Sequence, residues 1–463
     1  MTSPMIWIGA PIIFSIILWF LRPRRALVMI LSTAFCLLLA FLAWIVPIGA
    51  TIKLGQFTVE VLPRMAILGR RFVLGDGDRF LLILFYVFGA IWFFGSGVIK
   101  VDSFFIPIGL GMISLAVAAL SVEPFLYAAL LVEVVVLLSV PMLAPIGKPI
   151  GQGVLRYLIF QTIAMTFILL AGWAAGGVEA NPTDEKLLLQ TVVLLGLGFA
   201  FWLAIFPFYT WIPLLASEVK PYLAGFILSL LPMIALLLFL DFLNAFAWLR
   251  DFNLIPRVLS ITGALMVVMG GGLAAFQNNL ARVFAYTVIL ELGFSLLALS
   301  LGSQVGLKIF VSFFLPRIIT LALWALALTE FGGGERMVFA HVRGYLRRKP
   351  IAGTSILVAG FSLSGLPLLA GYPLRQILLE NLGQHSTGLV AWVLLGSLGL
   401  LIGSFRMLSV LIAASKEPWA LTEEWPQAVL LSAGILMTVI LGIFPSWILP
   451  MMQNLLNAFE RLI

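Results

Sequence analysis

Phe206-Pro207-Phe208-Tyr209-Thr210-Trp211-Ile212-Pro213 and Leu366-Pro367-Leu368-Leu369-Ala370-Gly371-Tyr372-Pro373 each place two prolines at one spacing inside a long apolar stretch. Proline lacks a backbone N–H and its ring crowds the preceding turn, so each pair predicts a helix broken within the bilayer. Pro207 and Pro367 lie 160 residues apart. The rest of the chain can be organised outward from these two breaks.

The 463 residues are 62% hydrophobic and 10% charged, with a mean hydropathy of +1.15. Soluble domains carry about 25% charged residues, so the composition excludes a water-soluble globule and predicts an all-α polytopic membrane protein. A ruler of about 20 apolar residues finds fourteen candidate spans. They cover 5–21, 26–46, 80–99, 104–121, 124–143, 155–176, 187–212, 222–248, 258–276, 280–301, 306–329, 350–380, 388–413 and 428–449. The first is followed by Arg22, Pro23, Arg24 and Arg25 and then at once by a second span, with no A-x-A-like cleavage site. It reads as a retained helix and not a signal peptide. The broken spans are the seventh and twelfth, each fourth in a block of five. An odd number of helices per block turns the second copy upside down, the inverted-repeat logic of secondary transporters. The expected organisation is therefore helices one to three at 1–103, a first repeat at 104–248, a second at 258–413, and a last helix within 414–463.

Basic residues fall in alternate connections: Arg22, Arg24 and Arg25, then Lys148 and Arg156, then Arg336, Arg343, Arg347, Arg348 and Lys349. By the positive-inside rule those connections are cytoplasmic and both termini outside. The connection 48–78 is an exception, carrying Lys53, Arg64, Arg70 and Arg71. Its alternation over Thr51–Leu54 and Phe57–Val61 around Gly55-Gln56 predicts a surface hairpin. Although the net charge is +7, the basic residues are scattered through short loops and do not interleave with exposed aromatics, which excludes nucleic acid as a partner. One cysteine, Cys36, and two histidines, His341 and His385, supply no disulfide, zinc, iron–sulfur or haem ligand set. No cofactor and no metal are expected.

A charge at mid-bilayer costs roughly 2.5–3.5 kcal/mol even on the lenient insertion scale. Glu133, in Leu130-Leu131-Val132-Glu133-Val134-Val135-Val136, lies near the centre of its span and is expected to face the bundle interior as a proton-exchanging carboxyl. The plainer reading is a structural ion pair or a hydrogen-bonded neutral acid. Lys308, Arg317, Arg375 and Arg406, with Glu291 between them, are candidates for a polar axis through the second block. Lys308 and Arg406, near span ends, read first as side chains that snorkel to an interface. Arg317 follows Pro316 inside a long apolar helix, where snorkelling is harder. Asp241 reads as interfacial, and Gly270-Gly271-Gly272 as a close helix contact, since no strand precedes it to make a phosphate cradle.

Three stretches resemble the antiporter-like membrane subunits of respiratory complex I and their relatives, the Mrp-type antiporters and membrane-bound hydrogenases. Gly198-Phe199-Ala200-Phe201-Trp202-Leu203-Ala204-Ile205-Phe206-Pro207-Phe208-Tyr209-Thr210-Trp211-Ile212-Pro213 resembles that family's run from helix seven into its break. Gln277-Asn278-Asn279-Leu280-Ala281-Arg282-Val283-Phe284-Ala285-Tyr286, completed by Leu292-Gly293-Phe294, is similar to its Q-x-D-L-K-R-x-x-A-Y motif. Phe361-Ser362-Leu363-Ser364-Gly365-Leu366-Pro367-Leu368-Leu369-Ala370-Gly371-Tyr372 is similar to its broken helix twelve. The resemblance spans roughly 80–413. It implies a relay of a glutamate in helix five, lysines in helices seven and eight, and a lysine or glutamate in helix twelve, joined by water. Glu133 matches the first by position and Arg375 the last. Trp202 stands at the second, nothing titrates from Ser229 to Leu231, Asn279 replaces the usual aspartate, and Arg317 falls in helix eleven. Lysine can release a proton when buried, whereas an arginine guanidinium stays protonated.

The resemblance implies a non-redox membrane-arm subunit of an NADH:quinone oxidoreductase-like complex, with a proton-translocation fold and an incomplete residue set. Its partners would be other membrane subunits, the lipid bilayer and protons, and its location a bacterial plasma membrane. Two alternatives stand beside it: an Mrp-type or stand-alone cation/proton antiporter or hydrogenase-type subunit, and a passive scaffold in such a complex.

Overall fold

The computed structural model describes all residues except 1, 55–56, 68, 100, 145–146, 148, 182–183, 253, 333–336, 414–419, 448 and 463, and omits the side chains of 51–54 and 57–59. The basic positions Lys53, Lys148 and Arg336 and the turn Gly55-Gln56 therefore lie wholly or in their side chains outside the described residues. Eleven helices among the described residues are long and apolar enough to cross a membrane, joined by three shorter apolar helices at Met5–Leu21, Phe105–Ser121 and Pro350–Ser364.

In chain order the helices are α1 (Ala10–Leu21), α2 (Arg25–Ile45), α3 (Arg79–Ser96), α4 (Phe105–Ser121), α5 (Leu126–Leu143), α6 (Gln152–Ala180) and α7 (Glu185–Trp202). There follow α8 (Trp211–Glu218), α9 (Pro221–Ala245), α10 (Leu254–Phe276), α11 (Leu280–Ser300), α12 (Gln304–Ser312) and α13 (Phe314–Thr329). The last are α14 (Pro350–Ser364), α15 (Tyr372–His385), α16 (Thr387–Ile412) and α17 (Trp425–Ile443). Between α2 and α3, β1 (Thr51–Leu54) pairs antiparallel with β2 (Phe57–Glu60), as the alternation predicts. A second hairpin, β3 (Arg64–Ile67) and β4 (Arg70–Val73), is extended by β5 (Val122–Glu123) from the end of α4. No sequence pattern announced that return to the α4–α5 connection.

Helix starts follow local capping chemistry. Asp184 accepts from the N–H groups of Lys186 and Leu187, and Ser386 from that of Leu389. Asn279 caps α11 by accepting from Ala281 and Arg282. An asparagine caps as well as the aspartate it replaces, so that departure from the family motif leaves the helix start intact. Two caps come from far along the chain. Glu218 of α8 accepts from the N–H of Gly153 in α6 at 2.7 Å, and buried Glu423 accepts from those of Ala352 and Ile351 in α14.

Both predicted breaks are present, but the prolines are not where the helices stop. α7 closes with the N–H of Ile205 on the carbonyl of Ala200 and that of Ala204 on Phe201, with Ala204 at φ +53°. α14 closes identically: Leu366 bonds Phe361, Gly365 bonds Ser362, and Gly365 has φ +89°. This is a Schellman closure in which one left-handed residue turns the chain off the helix axis. Pro207 and Pro367 then keep the chain from resuming the helix. Pro213 and Pro373 lie in the first turns of α8 and α15, where a missing N–H costs nothing. A third discontinuity separates α12 from α13 at Phe313, because Pro316 offers no N–H to the carbonyl of Ser312.

α9 is the central helix: every residue of its most apolar window is buried, as are most of those in α11. The Gly270–Gly272 stretch packs α10 against two neighbours. A Cβ on Gly271 would fall 1.8 Å from the carbonyl oxygen of Gly396 in α16, and one on Gly270 2.7 Å from the backbone N of Leu290 in α11. The expected close helix contact is what the triple glycine makes.

Candidate functional site: a buried carboxylate between two arginines

Glu291, Phe294 and Ser295 stand at i, i+3 and i+4 on α11 and so share one face. Against that face come Arg317, in the first turn of α13 after the Pro316 discontinuity, and Arg375, in the first turn of α15 after the second break. Arg317 donates through Nε to Glu291 Oε2 at 3.3 Å, and through Nη2 to the backbone oxygen of Glu291 at 2.7 Å and Ser295 Oγ at 2.6 Å. Arg375 donates through Nη2 to the other carboxylate oxygen, Glu291 Oε1, and its guanidinium carbon lies 4.2 Å from the centre of the Phe294 ring. All three side chains are buried, Glu291 and Arg375 to about 4% exposure.

The local reasons are legible. A cation in the first turn of a helix opposes the positive end of the helix dipole, so Arg375 needs a counter-charge from another element. Gly365 gives Arg375 its room, since a Cβ there would sit 3.3 Å from Arg375 Cδ. The site carries two guanidinium groups for one carboxylate. Arg375 Nη1 is sealed from solvent without a hydrogen-bond partner among the described residues. Both carboxylate oxygens are bonded by guanidinium groups, which keep their protons at accessible pH, and the three side chains form one ion cluster.

The other sequence candidates lie elsewhere. Glu133, expected to face the bundle interior, is half-buried beside an outward stripe formed by Leu130, Val134 and Leu137. A span that is apolar on every side does not tell which face it will bury. Glu133 Oε1 accepts from Thr162 Oγ1 of α6 at 2.7 Å, and Oε2 is sealed with no partner. Among the described residues no cation pairs with it. Lys308 is exposed on α12 and does not join the cluster, as expected of a long side chain near a span end. Arg406 is likewise peripheral, donating to the Ala275 carbonyl and to Asn278 Oδ1. A continuous axis from Lys308 through Arg406 is therefore not formed. Asp241, expected at an interface, is half-buried, with Oδ2 sealed and unpartnered. Trp202 is buried edge-on against Phe199, and Leu230 and Leu231 are buried. Ser229 Oγ is buried without a partner beside a cavity of about 10 Å³ that Arg317 also lines. Thr162 and Ser295 were missed as partners of the two glutamates. The signal for Ser295 was its place one turn after Glu291 on the same helix.

Fold and site define a class: a polytopic helical membrane protein with two interrupted helices and an ion cluster beside the second. Residues 178–403 match the family described as NADH:quinone oxidoreductase/Mrp antiporter, TM. Over 399 residues the chain is 27% identical to NADH-quinone oxidoreductase subunit 14 of Thermus thermophilus, covering 82% of this chain and 88% of that one. Subunit N of the same enzyme from Cereibacter sphaeroides is 27% identical over 325 residues, 66% of this chain and 68% of the relative. Among solved structures, a chain of an archaeal membrane-bound sulfane sulfur reductase superposes with a TM-score of 0.81 at 17% identity, covering 99% and 97% of the two chains. A chain of the Mrp complex from Dietzia gives 0.80 at 13%, covering 99% and 97%. One of Thermus thermophilus complex I gives 0.77 at 19%, covering 99% of both. These structures share the fold, and over residues 178–403 the chain is similar to the NADH:quinone oxidoreductase/Mrp antiporter family.

Proposed function

We propose that the chain is a non-redox membrane-arm subunit of an NADH:quinone oxidoreductase-type complex, with fourteen spans arranged as two inverted five-helix units. We further propose that it carries no complete proton relay of its own. The curated relatives reported above are quinone oxidoreductase subunits, which favours that host over an Mrp-type or hydrogenase-type assembly. The paired Schellman closures of α7 and α14, at equivalent places in the two blocks, support the inverted repeat. The observation carrying the second claim is the chemistry of the two halves. Among the described residues Glu133 has a hydroxyl partner and no cation, while Glu291 is held by two arginines.

A carboxylate ionised at Glu133 would meet a desolvation cost with no described cation to offset it. Glutamine keeps the oxygen that accepts from Thr162 and removes only the exchangeable proton. The test is the proton-to-electron ratio of the reconstituted complex with Glu133→Gln, with assembly checked by subunit content. The expected ratio is unchanged. A clear fall with intact assembly would overturn the claim that this copy lacks a relay.

A further inference from the structure

At the end of the bundle that carries Arg22, Arg24 and Arg25, a cavity of about 820 Å³ opens between helix ends. It is reached by the last turns of α3 and α13 and by the first turns of α2, α4, α9 and α17. Four cations line it, Arg22, Arg25, Lys220 and Lys349, with three acids, Asp102, Glu330 and Glu424. Two of the cations are spent: Lys220 pairs with Asp102 at 2.9 Å and Lys349 with Glu330. Arg22 is braced by rings, its guanidinium carbon 4.9 Å from the centre of Trp19 and 5.0 Å from that of Phe104. Neither Arg22 nor Arg25 has an acidic partner within 4 Å among the described residues. Arg24, between them, lies outside the lining.

Each helix N-terminus adds a partial positive charge equivalent to roughly half an elementary charge and each C-terminus a like negative one; the first turns of four helices border this cavity against the last turns of two, which leaves a positive balance. Below the charged rim the lining turns apolar at Val28, Met29 and Ile106, and the neighbouring faces of α1 and α2 expose Phe20, Leu27 and Ile30. A charged mouth over an apolar wall matches a molecule with an anionic head and hydrocarbon tails. We propose that this cavity holds the head group of an anionic phospholipid, its phosphate on Arg22 and Arg25 and its acyl chains along α1 and α2. The ring bracing fixes Arg22 toward the mouth, so less side-chain freedom is lost on binding. Glu424, the acid left without a described cation, opposes the ligand.

The test uses the full chain, purified with the partners it brings from the membrane and equilibrated with phosphatidylglycerol and phosphatidylcholine mixed in detergent. The lipid retained after exchange is quantified by mass spectrometry. Phosphatidylglycerol is expected to be retained in preference to phosphatidylcholine. Arg22→Gln and Arg25→Gln should each lower that retention about fivefold, which is about 1 kcal/mol for one cation near an anionic head group. Arg24→Gln should leave it unchanged, and Glu424→Gln should raise it. Equal losses for Arg24→Gln and Arg25→Gln would overturn the proposal in favour of a diffuse basic surface. So would equal retention of the two lipids. Displacement of the lipid by millimolar inorganic phosphate would show a site for the free anion and also overturn it. Each variant is first shown to elute as a single species, and all four positions lie at the bundle's end, away from its packed centre.

Discussion

Glu291→Gln tests the ion cluster at its single negative member. As built, two guanidiniums share one carboxylate, a formal sum of +1. Glutamine raises the sum to +2 and leaves both arginines facing each other without a counter-ion, in a place where Glu291 and Arg375 are about 4% exposed. Removing one partner of a buried pair costs about 3–5 kcal/mol, mostly for the charge left behind. Arg375→Met is the contrasting change. It takes the sum to zero, keeps the Arg317 bonds to Glu291, and deletes the Nη1 that has no partner. Its cost should stay at about 1.5–3 kcal/mol, the value of one charged hydrogen bond lost from a site that remains paired. The gap of about 1.5–2 kcal/mol corresponds to roughly ten- to thirtyfold in the folded-to-unfolded ratio. The assay is denaturant-induced unfolding of the purified chain in detergent, read by tryptophan fluorescence, with the amount incorporated into the complex as a second readout. If Glu291→Gln proves no less stable than Arg375→Met, the cluster is not the charge-matched structure described here and the argument from unpaired buried charge fails.

Two further predictions concern packing and capping. Gly271→Ala should be strongly destabilising, because its Cβ would overlap the Gly396 carbonyl at 1.8 Å, a backbone atom that cannot swing aside. Gly272→Ala meets nothing within 4 Å and should be neutral or stabilise by up to about 1 kcal/mol through helix propensity; thermal unfolding of the two variants in parallel decides the matter. Glu423→Ala should cost about 1–2 kcal/mol, because it removes a charged cap from the first N–H groups of α14, and faster proteolysis of the connection before α17 would report the same loss.

The amino-acid sequence determined everything that rests on local composition. Hydropathy over 20-residue windows located the apolar helices, the paired prolines located the interruptions, and the rarity of intramembrane charge picked out Glu133, Glu291, Arg317 and Arg375. These signals are readable because each depends on neighbours along the chain: a span needs its own length of apolar residues, and a proline acts on its own turn. Tertiary structure decided which face each helix turns inward. α2 and α9 are comparably apolar, yet a third of one window is buried and all of the other. In a lipid-facing bundle both faces of a helix are apolar, so no amphipathic pattern records the choice. For that reason the sequence could not place Glu133 at the edge of an outward stripe, leave Lys308 outside the cluster, or put Glu291, Arg317 and Arg375 on one carboxylate. That last meeting brings residues 84 apart in the chain within hydrogen-bond reach. It depends on the Pro316 discontinuity, on the restart of the helix at Tyr372 and on the space left by Gly365, three conditions met only once the helices have packed.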